Sequence, residues 1–279
     1  MIRSLWIAKT GLDSQQTNLD VITNNLANSQ TTGFKRIRPI FAELMYQTLR
    51  AEGVVQRSSV GGFNSVDGEF DPIPVGLSVG NGSAVVATQR MNSQGAVVRT
   101  ENPLDLAIKG LGYFVVAPST ETAPADVGYT RAGNFLRDNE GYIVTSGGDY
   151  LLDVNNNRIQ IPATASSVVI SDDGMVNYYE QSTVESVNAG QVQLVTFMNP
   201  TGLTNGGGDL YFETVASGEP ILGTAGKDGF GTLMQYYTEQ SNVNIAEELV
   251  RLIAAQRAYE ITTRSISASD SILQKLGSV

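Results

Sequence analysis

Four carboxylates lie within a short stretch of the chain, Asp138, Glu140, Asp149 and Asp153, and paired carboxylates are the machinery of glycosidic-bond hydrolysis. Sequence alone brings no two of them to the separation that this chemistry needs. Acidic residues beside glycine and asparagine are also ordinary turn chemistry. Asp153-Val154-Asn155-Asn156-Asn157 imitates the opening of a calcium loop, but the sixth position is Arg158 rather than glycine and the twelfth is Thr164 rather than glutamate. A hairpin turn is the better reading. Gly110-Leu111-Gly112 is a fragment of a dinucleotide fingerprint with no strand–turn–helix after it, and it reads as a strand entrance where backbones approach closely. Lys35, Arg36 and Arg38 form a basic cluster, which is either a solvated patch or a contact for an acidic neighbouring subunit.

The chain has no histidine and no cysteine. That removes the commonest metal ligand, the usual neutral-pH general base and all thiolate chemistry. No catalytic, metal-binding or cofactor-binding residues are assigned, and a cysteine-free chain is indifferent to the redox state of its compartment. Charge is uneven. Residues 1–40 hold five basic residues against two acidic ones, residues 240–279 hold four of each, and the stretch between holds nine basic against 22 acidic. An acidic middle argues against nucleic-acid binding. No stretch approaches the roughly 20 apolar residues of a membrane span, and the segment after Arg3 is too polar for the apolar part of a signal peptide.

What would position any site is a long middle between two helical ends. At the N-terminal end Leu5, Leu12, Leu19 and Leu26 recur every seven residues, with Ala8 and Ile22 on the same stripe. At the C-terminal end Ile245, Leu252, Tyr259, Ile266 and Leu273 do the same, with Leu249 alongside. A seven-residue period is the seam of a helix packed lengthwise on other helices. Gln15 on the first stripe is expected to hydrogen-bond across such a seam. Ordinary core packing gives similar spacing, but both stripes are terminal and sustained, which favours packing between chains. The first helix is predicted over 4–28, ended by the low-propensity run to Gly33. The second is predicted to start at Asn244, with Glu247 in the capping-box position, and to reach about Lys275.

Between them, residues 83–235 read as short strands separated by turns. Strands are predicted at 84–88, 105–108, 112–116, 142–144 and 191–197, with turns at 138–141, 146–149, 155–157 and 172–174. Residues 41–82 read as an extended arm or long hairpin that orders on assembly. The predicted class is α+β: terminal helices at 1–40 and 236–279 forming a coiled-coil-like core region, an arm at 41–82, and an all-β domain at 83–235.

Two motifs at opposite ends carry a resemblance. Asn24-Asn25-Leu26-Ala27-Asn28 with Thr32-Gly33-Phe34-Lys35 resembles the N-terminal signature of bacterial flagellar rod and hook proteins. Ser241-Asn242-Val243-Asn244 with Glu247-Glu248 and Gln256-Arg257-Ala258-Tyr259-Glu260 resembles their C-terminal one. Met1–Leu12, Asp105–Gly110 and Tyr129–Phe135 add to the likeness, which covers nearly the whole chain and is greatest to distal-rod members. The resemblance implies a structural subunit that stacks helically on copies of itself into a hollow drive shaft. It implies terminal helices around an export channel, a β domain outside, and export by the flagellar type III apparatus without a cleaved signal peptide. Its implied partners are proximal rod proteins, the hook protein and the surrounding L- and P-ring proteins, with no nucleic acid and no direct membrane insertion. A proximal rod or hook subunit is the alternative within the family, and a secreted cell-wall hydrolase the alternative from another class.

Overall fold

The computed structural model describes residues 2–50, 76–118, 127–180 and 186–277. Two helices flank a middle made of short strands, so the class is α+β. Helix α1 spans Ile2–Ala27 and helix α2 spans Ile245–Gly277. Asn244 caps α2 as its sequence predicts, with Oδ1 accepting from Ala246 N at 3.1 Å and Glu247 N at 3.4 Å. Among the described residues no helix is long and apolar enough to cross a membrane.

The chain forms two compact units. One comprises residues 23–37 and 89–249. Its centre is a nine-stranded sheet in which Tyr113–Ala117 is flanked by Gly128–Thr130 on one side and by Tyr150–Leu151 and Gln193–Thr196 on the other. Successive side chains on a strand face opposite ways, and here both faces are covered. Phe114 and Val116 enter a core with Phe135, Ile143, Leu151, Ile161, Val176 and Leu194. Tyr113 and Val115 enter a second core with Tyr129, Leu152, Val195, Phe197 and Tyr211. Edge-to-face rings order both: Phe114 and Phe135 lie 5.1 Å apart at 87°, and Tyr129 and Phe197 lie 4.9 Å apart at 75°. Burial, with Glu213 adding to it, pushes the Tyr129 phenol up to about 12. A three-stranded antiparallel sheet, Ala165–Ile170, Met175–Glu180 and Ser186–Gln191, packs into the first core through Ile170 and Val176. Two antiparallel pairs complete the unit, Leu106–Lys109 with Thr232–Gln235 and Val97–Arg99 with Tyr237–Glu239.

The other unit comprises residues 1–22, 38–88 and 250–279. Strands Ile37–Glu43 and Ser83–Arg90 pair, and Gln47–Arg50 pairs antiparallel with Leu77–Val79. That last pairing is the base of the predicted arm, whose residues 51–75 lie outside the described residues. Ser14, 4% exposed, donates to Ser83 O at 3.1 Å, tying α1 to the strand that returns from the arm. Within this unit Gly11 of α1 faces Thr262 of α2 closely enough that a Cβ there would lie 3.6 Å from its methyl group.

Candidate assembly interface and its polar anchor

The segment after α1 is built around a buried carboxylate. Glu239 ends the strand Tyr237–Glu239 with no solvent exposure. A charge held there requires charged partners, because desolvation is costly. Lys35 Nζ reaches Glu239 Oε1 at 2.5 Å and Arg131 Nε reaches Oε2 at 2.6 Å, while Gly95 N donates to Oε1 at 2.8 Å. Arg131 spends its remaining donors on the carbonyls of Ile108, Gly110 and Gly112, and Lys35 donates also to Ser93 O at 2.9 Å. Burial alone would raise the Glu239 carboxyl, but Arg131 and then Lys35 outweigh it and hold it below the usual carboxylate range. Burial draws the Lys35 ammonium down, against the opposing pull of Glu239.

Two asparagines extend the network through backbone. Asn25, 1% exposed, pairs its amide with Ile37 as a strand neighbour would: Nδ2 donates to Ile37 O at 2.7 Å, and Ile37 N donates to Oδ1 at 2.9 Å. Asn242 accepts from Arg36 N at 2.7 Å and donates to Met91 O and Ser93 O, each at 2.9 Å. Buried Glu248 takes the Arg36 guanidinium at 2.9 Å and the Asn25 amide at 3.4 Å. Gly33, at φ +75°, fits against Arg131 and Ala132 where a Cβ would come within 2.6 Å of Ala132 N, and Gly33 N donates to Glu239 O at 2.8 Å. Only glycine satisfies both the left-handed backbone and the close approach.

Of the motif residues, Asn25, Gly33, Phe34, Lys35 and Asn242 therefore meet in one node, with Phe34 itself buried. Asn24 and Asn28 pair with each other at the end of α1, Asn28 Nδ2 lying 3.1 Å from Asn24 Oδ1. Glu247 lies at the node's rim, 3.5 Å from Arg36, whereas Gln256, Arg257 and Tyr259 lie on the exposed surface of α2. The basic cluster is corrected accordingly: Lys35 and Arg36 turn inward to acids of their own chain rather than outward to a neighbour's, because buried Glu239 and Glu248 require them. Sequence reasoning missed Glu239 altogether. It is a charged residue between the polar residues Thr238 and Gln240, and nothing in that local pattern marked it as buried.

The apolar stripes are only partly covered. Ile22 is buried, Leu5, Leu12, Leu19, Leu26, Leu252, Ile266 and Leu273 are half-buried, and Ile245, Leu249 and Tyr259 are exposed. A second line on α2, unforeseen from the heptads, is more exposed still: Val250 at 67%, Ile261 at 67% and Ile272 at 52%. These residues repeat every eleven positions, which keeps them on one line of a straight helix. At about 100° per residue that line lies roughly opposite Leu252, Tyr259 and Ile266.

Three of the four candidate carboxylates hold local backbone and turn geometry. Asp153 Oδ1 accepts from Val154 N and Gln191 N, both at 2.7 Å, and its Oδ2 accepts from Asn155 at 3.2 Å. Asp138 accepts from Asn139 N at 2.6 Å, and Asp149 accepts from the Thr145 hydroxyl at 3.2 Å. Gly110 and Gly112 turn their carbonyls onto Arg131, so the glycine pair is a close backbone approach.

Comparison with known proteins decides the family. Residues 5–35 match the flagella basal body rod protein family, residues 107–178 the flagellar hook protein FlgE/F/G D1 domain, and residues 234–279 the flagellar basal body rod FlgEFG protein C-terminal region. The flagellar basal-body rod protein FlgG of Buchnera aphidicola subsp. Acyrthosiphon pisum is 44% identical over 276 residues, covering 99% of each chain. FlgG of Caulobacter vibrioides is 42% identical over 98% of this chain and 97% of its own, and FlgG of Bacillus subtilis is 38% identical over 99% and 98%. The chain belongs to the flagellar rod and hook protein family. Each of the three family regions supplies a member of the buried node: Lys35 from the first, Arg131 from the second and Glu239 from the third. The node is thus where the family's separate segments are fastened into one unit.

Proposed function

We propose that this structural subunit of the flagellar rod builds the distal rod, stacking helically on copies of itself into the hollow shaft that carries motor torque to the hook. The observation that carries the reading is the pair of apolar lines on α2. A helix with one half-covered stripe and an opposite line of Val250, Ile261 and Ile272 in solvent has surface for neighbours on more than one side. Repeated head-to-tail contacts of that kind generate open helical assemblies. Leu5, Leu12, Leu19, Ile22 and Leu26 with Ile245, Leu249, Leu252, Tyr259, Ile266 and Leu273 are the proposed packing residues. Residues 1–40 and 236–279 then form the tube, 41–82 the arm between subunits and 83–235 the outer domain. This division is by role, since by compactness residues 23–37 go with the β domain.

Family membership carries self-assembly and axial flagellar partners. The finer partners are proposed with it: proximal rod proteins, the hook protein, the L- and P-rings and the type III export apparatus, with the rod crossing the periplasm. The family is structural, and the engagement of Asp138, Asp149 and Asp153 in turns supports a protein without hydrolytic activity. Electron microscopy of the purified full chain under polymerising conditions tests assembly, with filaments expected and their loss on removing residues 1–22. Release of sugar fragments from purified cell wall by the full chain would instead favour the hydrolase.

A further inference from the structure

The sequence contains two Asn-Gly pairs, Asn81-Gly82 and Asn205-Gly206, and the fold treats them oppositely. We propose that Asn205-Gly206 is a self-modification site, at which the backbone nitrogen of Gly206 displaces ammonia from the Asn205 side chain. Asn205 lies in the strand Thr204–Gly207, which pairs antiparallel with Leu210–Phe212. The register steps from Asn205 opposite Tyr211 to Gly207 opposite Leu210, so Gly206 is the extra residue of a bulge. Such a residue is the unpaired one at a local break in the ladder. Gly207 N donates to Asn205 Oδ1 at 3.1 Å. That hydrogen bond folds the side-chain carbonyl over the intervening nitrogen and polarises it, placing a donor where negative charge develops on attack. Asn205 and Gly206 are both exposed, so water and base reach them.

In the reaction, base removes the Gly206 amide proton and the nitrogen forms a bond to Asn205 Cγ. The Cγ–Nδ2 bond breaks and ammonia leaves with a proton from solvent, giving a five-membered succinimide. Water then opens either carbonyl, so residue 205 becomes aspartate or its isoaspartyl isomer; the sum is asparagine plus water to acid plus ammonia. The fold also keeps the pair in place, because a Cβ at 206 would strike the Phe212 ring. The product adds a negative charge to a hairpin that already carries Asp209 and is followed by Glu213.

At the other pair the geometry opposes reaction. Asn81 Nδ2 donates to Met45 O at 2.8 Å, which holds the would-be leaving group in a hydrogen bond. Gly82 accepts from Leu44 N at 2.9 Å, and it sits at φ +106° against Thr10 of α1. That backbone is clamped against α1, whereas Gly206 lies in an exposed bulge.

The test incubates the full-length protein at mildly alkaline pH and follows asparagine, aspartate and isoaspartate at both positions by peptide mapping with acidic digestion. A parallel sample is kept in urea. The folded protein is expected to convert at residue 205 more than about tenfold faster than at residue 81, which is below the roughly 100- to 1,000-fold that one oriented donor contributes in an enclosed acyl-transfer site. In urea the two rates should converge, since both share the same Asn-Gly chemistry. An Asn205→Gln variant, which keeps an amide but lengthens the ring to be closed, should lose the faster conversion while leaving residue 81 unchanged. Equal rates at the two positions in the folded protein, or a difference that persists in urea, would overturn the proposal.

Discussion

Replacing Glu239 with glutamine removes one charge and little volume from the centre of the node. The amide leaves Lys35 and Arg131 buried beside a neutral group, with Lys35 3% and Arg131 6% exposed. Breaking a buried ion pair by neutralising one partner costs about 3–5 kcal/mol, because the partner's charge is left uncompensated. Here two cations face the same carboxylate. Each keeps a fallback, Lys35 on Ser93 O and Arg131 on three carbonyls, which places the expected loss inside that range rather than at its double. For a protein of this size each kcal/mol moves the melting temperature by about 2–4 °C, so a fall of roughly 6–20 °C is expected. The acid side adds a signature. The folded carboxyl is held below its ordinary 4.5. Its contribution is therefore fully present above that value and is lost as pH falls through the folded pKa. Glu239→Gln should lack that component of the acid dependence, so wild-type and variant stabilities converge as pH drops. Urea unfolding followed by tyrosine near-ultraviolet circular dichroism, repeated at several pH values, measures both. A loss below about 1 kcal/mol at neutral pH, the scale of an exposed pair, would refute the reasoning.

Three other outcomes follow from the same packing. Gly33→Ala forces a side chain into the left-handed region and against Ala132 N, 2.6 Å away, and should destabilise the β unit by more than about 1–3 kcal/mol in the same unfolding assay. Phe114→Ala opens a cavity beside Phe135 and should cost about 3–5 kcal/mol. In a dilute monomer, amide exchange should be slower for Tyr113–Ala117, covered on both faces, than for the exposed second half of α2; equal protection would count against terminal helices that gain order on assembly.

The helices were legible because their signals are local. A seven-residue rhythm and an Asn244 cap predicted helices over 4–28 and from 244 to about 275, against an observed Ile2–Ala27 and Ile245–Gly277. Strands such as 112–116 and 191–197 were legible from β-branched and aromatic runs bounded by glycine, and they proved to be Tyr113–Ala117 and Gln193–Thr196. The node was not legible, since whether Lys35 faces solvent or Glu239 depends on residues 204 positions away. A cluster of three basic residues looks like a surface patch until its acids are placed. The eleven-residue line was hidden for a different reason: matching α2 to a heptad absorbed Ile245, Leu252 and Tyr259 and left Val250, Ile261 and Ile272 as background.

The claim that α2 offers its second apolar line to neighbouring subunits is tested most directly with a Val250→Asp/Ile261→Asp double variant. Both positions are largely exposed in the single chain, so the folded monomer should keep its unfolding midpoint. Under conditions where the wild-type protein forms filaments visible by electron microscopy, the variant is expected to remain monomeric. Filaments of normal appearance from the double variant would contradict it.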